Sequence, residues 1–242
     1  MKNIVIILMI MKASIFSLSG QPTIYQSDTY ETSAGKLVIH LIGHSSLMFE
    51  FKGMKIYTDP WSKVADYSKF PEATLILLTH QHPDHLDKTA LKFITGTNTR
   101  IIGTKTVAGE VDKTEIMKNG DKISINGITI EAVAAYNTTA GRDIYHPKGR
   151  DNGYVITFGN LKVYVAGDTE NIPEMASLKN IDIAFLPMNQ PYTMLPKQVY
   201  DAALSFHPKV LYPYHYSEED IPVLKSLMEK EKSIQLKIAK MK

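Results

Sequence analysis

Thr79-His80-Gln81-His82-Pro83-Asp84-His85-Leu86 follows directly on the apolar run Ala73-Thr74-Leu75-Ile76-Leu77-Leu78, and this junction decides how the chain reads. Four side chains able to ligate a metal fall between positions 80 and 85, and they include three of the eight histidines in the 242-residue sequence. An apolar run without alternation is what a strand covered on both faces requires. A short loop at the end of such a strand is held by a rigid sheet and can aim several side chains to one side. Imidazole nitrogens and a carboxylate oxygen together suit Zn, Mn or Fe. The stretch predicts a buried strand that ends in a metal site.

Two later features belong with it. Gly167-Asp168-Thr169 follows the strand-like Val163-Tyr164-Val165-Ala166, and a lone histidine stands in Tyr212-Pro213-Tyr214-His215-Tyr216. HxHxDH, Gly-Asp-Thr and a late histidine in this order resemble the metallo-β-lactamase superfamily. Within it, Leu41-Ile42-Gly43-His44-Ser45-Ser46, Thr58-Asp59-Pro60-Trp61 and Tyr145-His146-Pro147-Lys148-Gly149 resemble the metal-dependent hydrolases that include ascorbate-phosphate lactonases. That branch is related to the phospholipase D-like N-acyl-phosphatidylethanolamine hydrolases. The resemblance runs from Lys36 to Ser217.

The resemblance implies two divalent metal ions, zinc first with manganese or iron as alternatives. By similarity, His80 and His82 bind one metal, Asp84 and His85 the other, Asp168 bridges the two, and His215 completes the second. Gly167 would let the backbone approach closely. Such a pair lowers the pKa of a bridging water to roughly 7. The resulting metal-activated hydroxide, oriented by Asp84, attacks a small ester, lactone or phosphoester.

One position departs from the pattern. After the strand Ile128–Ala135, most members place a histidine that ligates the first metal; here Asn137 stands there. An amide oxygen is a weaker donor than imidazole, so the first metal should be held less tightly. His146 either compensates or contacts substrate. Asp59, before Pro60 at a strand end, fits a carboxylate that orients a ligating histidine. His44 either hydrogen-bonds a ligand or lies on the cleft floor. His207 reads as a turn residue before Pro208, and His40 as a strand residue.

Strand-like runs are short and dense: Leu37–Ile42, Ser46–Phe51, Lys55–Thr58, Leu75–Leu78, Ile101-Ile102, Lys122–Ile125, Ile128–Ala135, Tyr154–Phe158, Leu161–Ala166, Ile181–Leu186 and Val210–Tyr212. Lys52-Gly53, Asn126-Gly127 and Gly159-Asn160 are two-residue hairpin connectors. Helical patterns fall at Lys88–Ile94, Thr104–Val111, Lys197–Phe206 and Glu218–Lys230. This order and the resemblance together predict a four-layer αββα sandwich in the α/β class, formed by one domain over residues 21–242.

Composition narrows the function. No cysteine is present, so disulfides, thiolate zinc sites and a lipid-acylated anchor are excluded. Met1-Lys2-Asn3 and the apolar Ile4–Met11, with small residues at Ser17-Leu18-Ser19, read as a signal peptide over residues 1–20. Lys12 interrupts the apolar run, which leaves it too short to span a membrane. Export to the periplasm or the outside is expected, a cytoplasmic enzyme being the alternative. The formal charge of +2 rests on Lys2 and Lys12, and the mature chain is formally neutral. A neutral chain has no electrostatic pull toward nucleic acid. The expected partner is a small-molecule substrate; a homo-oligomer stays open. No serine nucleophile elbow or phosphate-binding loop is present. A β-lactamase is the first rival reading, although Asn137 and a bridging Asp168 separate the chain from those enzymes. A non-catalytic metal-binding protein whose site has decayed at Asn137 is the second.

Overall fold

The computed structural model describes residues 25–241, so the leader expected over residues 1–20 lies outside the described residues. Two seven-stranded sheets pack face to face. The first holds β1 (Gln26–Thr32), β2 (Gly35–Gly43), β3 (Ser46–Phe51), β4 (Met54–Thr58), β5 (Leu75–Leu77), β6 (Arg100–Gly103) and β7 (Thr114–Ile116), in that spatial order. The second holds β8 (Lys122–Ile125), β9 (Ile128–Ala135), β10 (Asp151–Phe158), β11 (Leu161–Val165), β12 (Ile183–Met188), β13 (Val210–Tyr216) and β14 (Gln235–Leu236). In each sheet the first four strands run antiparallel and the rest continue parallel.

The hairpins form where two-residue turns were expected: Phe51 pairs Met54, Ile125 pairs Ile128 and Phe158 pairs Leu161. Between the sheets, Phe49 and Phe51 meet Phe158 with ring centroids 5.7 and 5.2 Å apart. All three rings are buried, and each contributes on the order of 2–3 kcal/mol. On the outer face of the first sheet, α1 (Lys88–Ile94) and α2 (Lys105–Ala108) pack Ala90, Leu91, Ile94 and Val107 onto Ile76, Leu78 and Ile101. Asp87 caps α1 by accepting from the Thr89 and Ala90 amides. On the far side, α3 (Pro196–Phe206) turns Val199, Ala203 and Phe206 inward, and α4 (Ile221–Met228) lies against it. The fold is the four-layer αββα sandwich.

Several elements differ from expectation, the short strands β7 and β14 among them. The polar segment Gln26–Thr32 is a strand, because its backbone pairs fully with β2 even though its side chains lack an alternating pattern. The second helix is one turn, Lys105–Ala108, ending at Gly109. The last helix begins at Ile221 after a short 3-10 turn at Glu218–Asp220. Among the described residues no helix is long and apolar enough to cross a membrane.

Candidate metal centre

Seven connections converge on one edge of the sandwich. His44 sits in the β2–β3 turn, Asp59 just past β4, His80 to His85 past β5, and Asn137 and His146 between β9 and β10. Asp168 follows β11, Asn189 follows β12, and His215 lies within the end of β13. His44, Asp59 and His215 adopt left-handed backbone with φ of 52°, 44° and 48°. Such a conformation costs a non-glycine residue on the order of 1 kcal/mol or more and persists only where surrounding contacts impose it. Gly167 (φ 67°) must be glycine: a Cβ there would stand 2.7 Å from the Asn152 carbonyl oxygen. That close approach lets β11 deliver Asp168 to the centre.

The ligand-type atoms fall into three overlapping groups, each with all its atoms within 4.8 Å of one another. They are His80, His82 and His146; His44, Asp84, His85 and His215; and His80, His85 and Asp168. Asp168 lies at the junction. Its Oδ2 stands 3.5 Å from His146 Nε2 and 3.4 Å from His215 Nε2, and its Oδ1 is 3.4 Å from His85 Nε2. Asp84 Oδ2 stands 3.1 Å from His44 Nε2 and 3.4 Å from His215 Nε2. Asp84 and His82 are the partly open members; Asp84, at 32% side-chain exposure against 4% for Asp168, faces the cleft.

Behind these atoms lie their supports. His85 Nδ1 donates to Asp59 Oδ2 at 2.8 Å, while Asp59 accepts from the Thr79 amide at 2.8 Å and the Thr79 hydroxyl at 2.6 Å. A proton fixed on Nδ1 leaves Nε2 free to face the centre. His146 is held the same way: its Nδ1 donates to Asp151 Oδ2 at 3.0 Å. Arg150 backs Asp151 with Nε and Nη2 bonds of 2.7 and 2.8 Å. The His44 ring lies between His215 and Trp61, at centroid separations of 3.8 and 4.7 Å.

The Asn137 side chain is buried, with its Oδ1, the atom expected to face the first metal, lacking a hydrogen-bond partner, while its nitrogen is engaged. Its Nδ2 donates to the carbonyls of Tyr192 (2.7 Å) and Arg142 (3.2 Å), which pins two loops together. The amide of Asn137 donates to the His146 carbonyl at 2.8 Å, so the loop doubles back and lays His146 beside it. His146, expected either to compensate for the missing histidine or to touch substrate, is grouped with His80 and His82, as the first alternative requires. Asp151 and Glu170 escaped the sequence reading. Glu170 is fully buried and accepts from the Thr138 amide and hydroxyl and the Thr139 amide at 2.8, 3.0 and 2.7 Å. Its one sequence signal was adjacency to Gly167-Asp168-Thr169.

The electrostatics are those of a cation site. Burial, and then His85 beside it, hold the His80 imidazole well below its ordinary pKa. Burial alone would raise the Asp168 carboxyl, but His215, His85 and His146 outweigh it and hold it well below the carboxylate range. Burial would likewise raise Asp84, and His215 and His44 reverse the direction. His80 Nε2, His85 Nε2 and Asp168 Oδ1 are buried without a hydrogen-bond partner, the 3.4 Å approach of the last two being poorly aligned. Buried polar atoms are almost always satisfied, and three orphans aimed at one point fit a cation placed between them.

Two mixed sheets carrying such a cluster at one edge define the metallo-β-lactamase fold class. Residues 38–215 match the family described as the beta-lactamase superfamily domain, and the chain belongs to it. It is 32% identical over 212 residues to a UPF0173 metal-dependent hydrolase of Pyrobaculum islandicum, covering 81% of this chain and 90% of that protein. A crystal structure of a candidate metal-dependent hydrolase from Parabacteroides distasonis is similar at 49% identity and a TM-score of 0.88, covering 90% of this chain and all of that one. Igni18, a metallo hydrolase from Ignicoccus hospitalis, shares the fold at 24% identity and a TM-score of 0.71, over 85% of this chain and 95% of that one. The chain is a metal-dependent hydrolase of the metallo-β-lactamase superfamily.

Proposed function

We propose that the protein hydrolyses a small ester, lactone or phosphoester at a pair of divalent ions, zinc in the first instance. His80, His82 and His146 would hold one ion; Asp84, His85 and His215 would hold the other; Asp168 would lie between. The observation that carries this reading is Asp168, whose two oxygens reach His146 of one set and His85 and His215 of the other. Bound divalent ions would supply the Lewis acidity that polarises a substrate oxygen and acidifies water.

The chain's own residues do the rest. Asp84 is ionised and open to the cleft, so it can accept a hydrogen bond from the attacking water and orient it. His44 holds the same carboxylate oxygen from the other side, which fixes its direction. The carboxylates of Asp59 and Asp151 keep His85 and His146 in one tautomer each. His146 beside His80 and His82 supplies a third imidazole, which counts against a site decayed at Asn137.

The test is a panel of nitrophenyl esters, lactones, bis(nitrophenyl) phosphate and nitrocefin, assayed with zinc-loaded and chelator-stripped protein. Zinc-dependent turnover of an ester, lactone or phosphoester is the expected result. Turnover of nitrocefin alone would assign a β-lactamase instead, and bound metal with no turnover of any of them would point to a binding protein.

A further inference from the structure

We propose that the substrate carries an apolar acyl or aryl arm, gripped by a lip that Ile144, Tyr145, Tyr192 and Leu195 form beside the metal cluster; this rests on the hydrolase reading above. Ile144, Tyr192 and Leu195 are 71%, 44% and 46% exposed. Among the described residues the other large exposed apolar side chains, Phe93, Ile116 and Val223, stand singly on α1, β7 and α4. Isolated surface apolar residues are ordinary, whereas a gathering at the mouth of a polar cleft marks a place where something apolar is bound.

The lip is joined to the centre on both sides. Tyr145 directly precedes His146, and Tyr192 lies just past Asn189, whose Nδ2 is 3.4 Å from His215 Nδ1. The Tyr145 and Tyr192 rings meet edge to face with centroids 4.9 Å apart. From beneath, the single Asn137 amide ties the Tyr192 and Arg142 carbonyls together. The two tyrosine rings and the backbone that carries them are therefore held before anything binds, which lowers the entropy lost on binding.

Charge separates this arm from an anionic one. The cations of the first loop are already paired: Arg142 with Glu170 at 3.5 Å, Lys148 with Glu174 at 3.0 Å, and Arg150 with Asp151 at 2.7 Å. On the second, Lys197 pairs with Asp201 at 2.6 Å. The lip thus presents apolar surface and ring faces, with its neighbouring cations committed elsewhere.

The experiment titrates zinc-loaded protein by calorimetry with straight-chain hydroxamic acids from acetyl to octanoyl. The head group seeks the metal whatever the tail. Affinity should rise about two- to fourfold for each added methylene. An Ile144→Ser/Tyr192→Ser variant should show a nearly flat series while binding acetohydroxamate as the wild type does. Chain-length-independent affinity in the wild type would overturn the proposal. Failure of acetohydroxamate to bind would count against the metal centre instead. For that case a second series, n-alkyl amides titrated by calorimetry, tests the lip without metal. The same slope is expected there, and a flat one overturns the proposal. A wild-type dimer that the double variant abolishes, seen in sedimentation, would overturn it in favour of a subunit interface.

Discussion

Replacing Asp59 by asparagine probes the support of one half of the cluster while changing little else in shape. The wild-type Oδ2 accepts from the Thr79 hydroxyl at 2.6 Å and from His85 Nδ1 at 2.8 Å; the other oxygen takes the Thr79 amide at 2.8 Å. Asparagine keeps the amide bond through its own carbonyl and turns an NH2 toward His85 and Thr79. The Thr79 hydroxyl can rotate to accept, so the turn survives. His85 cannot accept at Nδ1 without moving its proton to Nε2, the atom that faces the centre. Two charge-assisted bonds are weakened, and removal of a buried carboxylate offsets part of that loss, leaving stability lower by roughly 1–3 kcal/mol. Loss of such a support weakens metal binding by about 10–100-fold, or roughly 1.4–2.8 kcal/mol. Competition with a fluorescent chelator should show the metal equivalent proposed for Asp84, His85 and His215 leaving that much more readily. The equivalent assigned to His80, His82 and His146 should loosen less, since Asp59 reaches it only through the Thr79 hydroxyl, which lies 3.0 Å from His80 Nδ1, while His146 rests on Asp151. Two unchanged release curves in a folded Asp59→Asn variant would refute the reasoning.

The mirror substitution, Asp151→Asn, should weaken the other equivalent by about 10–100-fold, because it strips the support from His146; equal loss at both would contradict two separate supports. Asn137→His should lower metal content and thermal stability rather than tighten the first site, since it breaks the bonds to the Tyr192 and Arg142 carbonyls. A variant with stronger zinc retention would return Asn137 to the ligand set. Glu170→Ala should cost about 2–4 kcal/mol in chemical denaturation, as the Thr138 and Thr139 amides lose their acceptor. A change below about 0.5 kcal/mol would remove Glu170 as the anchor of the loop that carries His146.

Local patterns were legible in the sequence; partnerships across space were not. The hairpins at Lys52-Gly53, Asn126-Gly127 and Gly159-Asn160 show because a two-residue turn needs particular residues whatever surrounds it. The loop from His80 to His85 shows because its candidate ligands are contiguous. β1 stayed hidden, since Ser27 and Asp28 are buried there without an apolar repeat. β14, two residues long, has no pattern to read. Asp151 and Glu170 were invisible as supports because the groups they hold are brought to them by the fold. For Asn137, position after a strand marked the loop but carried no sign of the histidine that the fold brings beside it. The chain doubles back through the Asn137 amide to the His146 carbonyl, and a histidine nine residues on takes the place beside it.

The most direct test of the account is anomalous diffraction at the zinc edge from crystals of zinc-loaded protein. Two peaks are predicted, one within bonding distance of His80, His82 and His146 and one within bonding distance of Asp84, His85 and His215, with the Asp168 carboxylate between them. A single peak, or density away from these histidines, would contradict it.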